Sequence, residues 1–170
     1  MKTPTADQTE TIAVAATIAE SVAPVQEFTI AAPWIEGSEI DSIFTCEGSK
    51  LSPSFDIAGL PEGTVTWGLS IVDQTAGNAV HWVAANIDPA MNSVNAGVVP
   101  AGAVQSLNRV GKVGYAAPCP KVGEPHTYIL TVYALSQLLE VQEGDDPEIM
   151  LTSLEAGSLG IVATTFMVTR

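Results

Sequence analysis

Residues 73–86 read DQTAGNAVHWVAAN and residues 115–135 read YAAPCPKVGEPHTYILTVYAL. Each stretch is a loop rich in Gly, Pro or Asn that runs into an apolar segment, and each carries one of the chain's two histidines, His81 or His126, to the start of that segment. Residues 81–87 (HWVAANI) and 127–135 (TYILTVYAL) are apolar on both faces and rich in β-branched or aromatic side chains. That pattern belongs to central strands covered on both sides. Two such strands would present both imidazoles together at one sheet edge, the arrangement of a small binding site.

Upstream of these stretches, Val65, Trp67, Leu69 and Ile71 alternate with Thr66, Gly68, Ser70 and Val72. This period of two predicts a strand with Asp73 at its exit. Residues 161–168 (IVATTFMV) predict the last strand. Between them, Asp145 and Asp146 precede Pro147 and Glu148, which places capping acids before a proline suited to a first helical turn. Ile149, Met150 and Leu154 then give an apolar face closed by Gly157, so one short helix is expected here.

From Glu27 onward, short apolar segments are broken by Gly, Pro, Asn and Asp, the texture of a mostly β domain. At 170 residues the chain suits one domain with a full core. The expected division is a domain over 27–170 preceded by an arm over 1–26. The arm has no aromatic residue and only short apolar runs, and it reads as flexible or docked on a partner. Residues 12–23 would form one helix if a partner covers them.

Nineteen acidic against six basic residues give a net charge of −13. Such a balance repels nucleic acid and anionic membrane surfaces unless the cations cluster, and these are scattered from Lys2 to Arg170. No stretch approaches the roughly 20 apolar residues of a membrane-spanning helix. Asp7 and Glu10 stand where a secretory signal needs positive charge. The expected location is therefore the cytoplasm, with export or a place in a virion or surface assembly as the alternative. Cys46 and Cys119 could form one disulfide, but two reduced, buried thiols are the expectation for an unexported chain.

Each candidate for chemistry has a plainer reading. His81 beside Trp82 suits an ordinary strand histidine bonded to backbone, and His126 after Pro125 suits a turn. The two histidines with Asp73 lack any metal-ligand motif, so no metal or cofactor is expected. Neither a nucleophile elbow nor a cysteine–histidine signature is present, so the chain is not read as an enzyme. Cys119, between Pro118 and Pro120, is the one thiol that a nearby His126 could turn into a thiolate; more often such a cysteine is small and buried. A small anion pocket fits better. In it, His81, His126 and Tyr128 or Tyr115 donate hydrogen bonds, Asp73 orients a histidine, and prolines form the wall.

At these residues the chain resembles the phosphatidylethanolamine-binding protein family, in particular its bacterial and archaeal Raf kinase inhibitor-like branch. Phe44-Thr45-Cys46-Glu47-Gly48, Leu51-Ser52-Pro53-Ser54-Phe55 and Leu60-Pro61-Glu62-Gly63-Thr64 are similar to the family's Y-T-C-D-G, S-P-P-L and L-P-x-G-T blocks. Ser70-Ile71-Val72-Asp73, His81-Trp82-Val83 and Asn86-Ile87 are similar to the strand entering D-P-D-A-P, to H-W-V and to N-I-P. The stretches 115–120 and 123–128 resemble Y-x-G-P-C-P-P and G-x-x-H-R-Y. The order and spacing of these blocks, over about Phe28 to Arg170, make the likeness specific.

The resemblance implies a compact, mainly β fold of two antiparallel sheets with one or two short helices and a shallow anion pocket at one end. It assigns the pocket to Asp73, His81, Pro118, His126 and Tyr128, with Tyr115, Cys119 and Pro120 as additional candidates. This chain departs from the family where D-P-D-A-P becomes Asp73-Gln74-Thr75-Ala76-Gly77, where Ala117, Lys121 and Thr127 replace Gly, Pro and Arg, and where 155–159 lacks a histidine. Lost prolines imply a softer wall. The implied function is non-enzymatic binding of a phosphoryl or carboxylate headgroup, with inhibition or signalling as the outcome. The alternative is a structural or interaction protein with a vestigial pocket and an arm that docks a protein partner. Homo-oligomer formation is left open by both.

Overall fold

Strand β3 (Thr66–Asp73) is the middle of the structure, because its alternating pattern supplies two faces that are both covered. In the computed structural model, which describes residues 22–170, β3 lies between β4 (Ala79–Ile87) and β7 (His126–Leu135). The five-stranded sheet is completed by β6 (Val104–Gln105) beyond β4 and β8 (Ser158–Val168) beyond β7, all antiparallel. A second, three-stranded antiparallel sheet has the order β1 (Thr29–Ala31), β2 (Phe55–Ala58), β5 (Ser93–Val94). The two strands expected to be central are thus interior strands.

Trp67, Leu69 and Ile71 face the small sheet and pack with Phe55, Ile57, Leu130 and Phe166 in the main core. Val65 falls outside the strand and is half-exposed. The opposite face of β3 and β4 is covered by the one α-helix among the described residues, α1 (Pro147–Ala156), through Met150 and Leu154. Asp146 caps that helix by accepting hydrogen bonds from the Glu148 and Ile149 amides, and Pro147 opens its first turn. Ile149 does not join the apolar face as expected but is 63% exposed. It lies about 100° around the helix from Met150, whereas Leu154 sits one turn above Met150 on the same face. The only other helical piece among the described residues is a short 3-10 turn at Ser42–Phe44.

Two irregularities in the β3–β4 pairing shape the site. Val80 opposes Val72 and Trp82 opposes Ile71, so His81 is the extra residue of a bulge. At the other end of β4, Asn86 adopts φ 60° next to the second register shift. Its amide donates to the Leu139 carbonyl and accepts from the Leu139 amide, which fastens the segment leading to α1.

Residues 22–27 carry no regular structure and are exposed. Residues 1–21, and with them most of the helix expected over 12–23, lie outside the described residues. No helix among the described residues is long and apolar enough to cross a membrane.

The expectation of two reduced thiols is overturned: Cys46 and Cys119 form a disulfide. The resulting loop spans a sequence separation of 73 residues. In the chain-entropy description, closing such a loop stabilises the native state by up to about 4 kcal/mol. The bond also removes the thiolate considered for Cys119.

Gly68 shows how tightly α1 sits. A Cβ there would lie 2.4 Å from Leu154 Cδ2 and 2.8 Å from the Ala84 carbonyl oxygen. We expect Gly68→Ala to cost about 1–3 kcal/mol by overpacking, read as a lower urea midpoint at unchanged slope. Reduction of the disulfide should lower the midpoint as well; an unchanged midpoint after complete reduction would remove its stabilising role.

Candidate functional site

β3 ends at Asp73 while β4 and β7 start beside it, so antiparallel pairing gathers Asp73, His81, His126 and Tyr128 at one end of the large sheet. Asp73 opposes Tyr128 directly in the β3–β7 register. Its carboxylate is 3% exposed and fully engaged. Oδ1 accepts from the Thr75 and Ala76 amides, each at 3.0 Å, and Oδ2 accepts from His126 Nδ1 at 2.7 Å. Burial alone would push the Asp73 carboxyl up. The hydrogen bonds from His126 and the Ala76 amide, with attraction to His126, outweigh it and hold the group below its ordinary value.

The loop after Asp73 is tied to the start of β7 by hydrogen bonds where the family pattern has prolines. The Thr127 amide donates to Thr75 Oγ1 at 2.9 Å, and the Gln74 amide donates to the Thr127 carbonyl at 2.9 Å. Thr75 and Thr127, two of the departures from the family pattern, therefore fasten each other.

His81 sits behind the pocket. Its backbone carbonyl accepts from the Ala116 amide at 2.8 Å, while its Nδ1 is 2.7 Å from the Ala116 carbonyl. A carbonyl only accepts, so Nδ1 carries the proton. Burial lowers the His81 pKa against the opposing hydrogen bond to Ala116, which keeps the ring neutral at physiological pH. Nε2 is then an acceptor; it is buried, has no hydrogen-bond partner and lies 4.0 Å from Asp73 Oδ2. Edge to face with His81 at 5.2 Å stands Tyr128, which stacks on Phe166 at 5.3 Å. Burial and the nearby Asp73 charge keep the Tyr128 hydroxyl protonated, with its pKa well above the ordinary value.

A cleft of about 230 Å³ opens over this cluster. It is lined by Asp73, Ala76, Arg109, Cys119, Pro120, Lys121, Glu124, His126 and Tyr128. Of the sequence candidates, Asp73, His126, Tyr128, Cys119 and Pro120 reach the cleft. His81 lies beneath it. Pro118 is buried under the wall, its carbonyl accepting from the Cys46 amide at 3.0 Å. Tyr115 is elsewhere: its hydroxyl donates to the Phe44 carbonyl at 2.7 Å and its ring meets Trp82.

The sequence reading missed the cleft's cations by treating them as scattered. Arg109 is fixed because its amide donates to the Val80 carbonyl at 2.8 Å, in a turn organised by buried Asn108. Asn108 Oδ1 accepts from the Val110 and Lys112 amides, and its side-chain NH₂ donates to the Gly114 carbonyl. The spacing of Asn108 and Gly111, just upstream of Tyr115, was the available signal for this turn. Beside Pro120, Arg170 donates to the Pro120 carbonyl at 3.1 Å and pairs with Glu47, next to the Cys46–Cys119 bond.

Two antiparallel sheets with an aspartate, two histidines and a tyrosine gathered at one end define a mainly β protein of known architecture. The family model of phosphatidylethanolamine-binding proteins matches residues 32–166, and the chain belongs to that family. It is 36% identical over 128 residues to a UPF0098 protein of Methanothermobacter thermautotrophicus, covering 71% of this chain and 84% of that one. The UPF0098 protein YbcL of Escherichia coli is 37% identical over 109 residues, covering 58% and 60% of the two chains. The crystal structure of YbcL, described as a member of the mammalian family, superposes with a TM-score of 0.77 at 26% identity, covering 85% of this chain and 99% of that one. A homologue from Chlamydia trachomatis, CT736, shares the fold at a TM-score of 0.77, covering 84% and 97%.

The two buried groups make stability fall in acid. His81 titrates lower when folded than when unfolded, so its contribution is complete above about pH 6.5 and is lost as pH falls through the folded value. Asp73 behaves likewise from about pH 4 downward. We expect a decline in urea midpoint between about pH 7 and 5 that His81→Gln flattens. A decline of equal size in that variant would assign it to other groups.

Proposed function

We propose that the protein is a non-enzymatic binding protein that takes a small anion, a phosphoryl or carboxylate group, in the cleft over Asp73, His126 and Tyr128. The observation that carries this reading is that Arg109 and Lys121 face the cleft in a chain whose net charge is −13. Cations placed where the chain is otherwise acidic attract an anion to one point. The Arg109 guanidinium offers paired donors, and the Tyr128 hydroxyl, held protonated, offers another. Nothing in this set is a positioned nucleophile, since Cys119 is disulfide-bonded.

The disulfide supports the exported alternative over the cytoplasmic one, because such bonds persist in oxidising compartments. The reading as an interaction protein rests on a docking arm, most of which lies outside the described residues.

Titration with inorganic phosphate, O-phosphorylethanolamine and acetate, followed through the His126 and His81 imidazole signals by NMR, tests the proposal. Saturable shifts at His126 are expected, with affinity for phosphate at least tenfold weaker in Arg109→Ala, a loss of about 1.4 kcal/mol. Histidine signals that stay fixed at millimolar ligand would remove the binding reading.

A further inference from the structure

The face of the large sheet that meets α1 carries a buried polar group that the fold leaves unmatched. Ser70 and Thr131 oppose one another in the β3–β7 register, and Tyr133 follows Thr131 on the same face. The three are buried, at 1%, 9% and 5% exposure. The Ser70 and Tyr133 hydroxyls lie 3.1 Å apart, and the Tyr133 hydroxyl interacts with that of Thr131 as well. Burial keeps the Tyr133 phenol protonated, with its pKa above the ordinary value. Three hydroxyls in a row hold three protons, and the links between them use only two. At least one of these O–H donors therefore has no acceptor among the described residues, and a buried donor left unmet is destabilising.

All three residues line a cleft of about 310 Å³ between the sheet and α1. Val72 and Ile129 from the sheet and Leu151 from the helix give it apolar surface. The helix also contributes Glu148, Thr152 and Glu155, spaced so that they share one stripe. Glu155 is near enough to Tyr133 for its charge to oppose ionisation of the phenol. Neither carboxylate enters an ion pair among the described residues. The Thr152 hydroxyl already donates to the Glu148 carbonyl, which leaves its oxygen to accept. The helix side thus presents acceptors only, against a sheet side with a donor to spare. The Asn78 amide, also lining the cleft, can serve in either sense.

That division selects a ligand. An anion would meet the spare donor but be repelled by two carboxylates. An ammonium would suit the carboxylates but has no lone pair to offer the hydroxyl. A neutral polyol accepts from one side and donates to the other, and a sugar ring also lays its C–H faces against Val72, Ile129 and Leu151. We propose that the cleft between α1 and the large sheet is a second binding site, and that it takes a neutral saccharide. The volume agrees with this, since small-molecule sites run from about 300 to 1,000 Å³. Tyr128 and the anion cleft belong to the opposite face of β7, so the two sites are separate.

Methyl NMR of the full chain, following Val72, Ile129 and Leu151, reads the proposal as glucose, galactose, mannose, maltose and cellobiose are added in turn. Saturable shifts at millimolar sugar are expected, and the mono- and disaccharides separate a site for a free sugar from one that needs linked rings. Tyr133→Phe keeps the ring and removes a hydroxyl, while Glu155→Ala removes an acceptor from the exposed side of the helix; each should weaken sugar affinity at least tenfold. Dispersed methyl signals check that both variants are folded. Glucuronate and putrescine are the anionic and cationic counterparts and should bind more weakly than the neutral sugars. Methyls that respond to none of these probes mark a cleft that holds water only and overturn the proposal. A response to glucuronate or putrescine in place of the neutral sugars overturns it too, as do sugar shifts that survive in both variants. The His126 response to phosphate reads the other face of the sheet, so failure here is separate from failure of the anion-binding reading.

Discussion

One buried carboxylate holds the working end of this molecule together. Asp73 stands where the central strand stops, and its two oxygens divide the task. Oδ1 takes the amides of the loop that turns the chain toward β4, and Oδ2 takes the imidazole that begins β7. Loop conformation and histidine orientation are therefore set by a single group. A buried charge is tolerable only when so engaged, and the same engagement leaves His126 with its other ring nitrogen for the cleft.

Around that group, cross-ties join segments distant in sequence. Ala116 is held by both the carbonyl and the ring of His81. Thr75 and Thr127 hold each other. Glu47, Pro120 and Arg170 meet beside the disulfide. The D-Q-T-A-G loop carries a cross-strand hydrogen bond through the Thr75 hydroxyl that the comparison with D-P-D-A-P did not foretell.

Strand positions were legible in the sequence because local pattern decides them: both-face apolar runs for β4 and β7, alternation for β3, and capping acids with proline for α1. That Asp73, His126 and Tyr128 lie together was legible for the same reason, since each stands near a strand terminus. What could not be read was set by tertiary pairing. Arg109 reaches the cleft only because its amide bonds to Val80, and Tyr115 leaves it because its hydroxyl finds Phe44. The cysteines were misjudged because composition speaks of compartment, whereas pairing depends on Cys46 and Cys119 meeting across the fold. Ile149 shows the limit of helical reading, in which one step along the sequence carries a side chain from core to solvent.

The loop carrying Asn108 and Arg109 lies against β4 much as another strand would, bonding to Val80, His81 and Val83 in turn. Such contacts join residues far apart in the chain, and loop closure must precede any gain from them. The cleft therefore has no precursor in any local fragment. Its two cations take their places only after the central strands have paired, so the cleft belongs to a late stage of folding and is lost with the local opening of that loop.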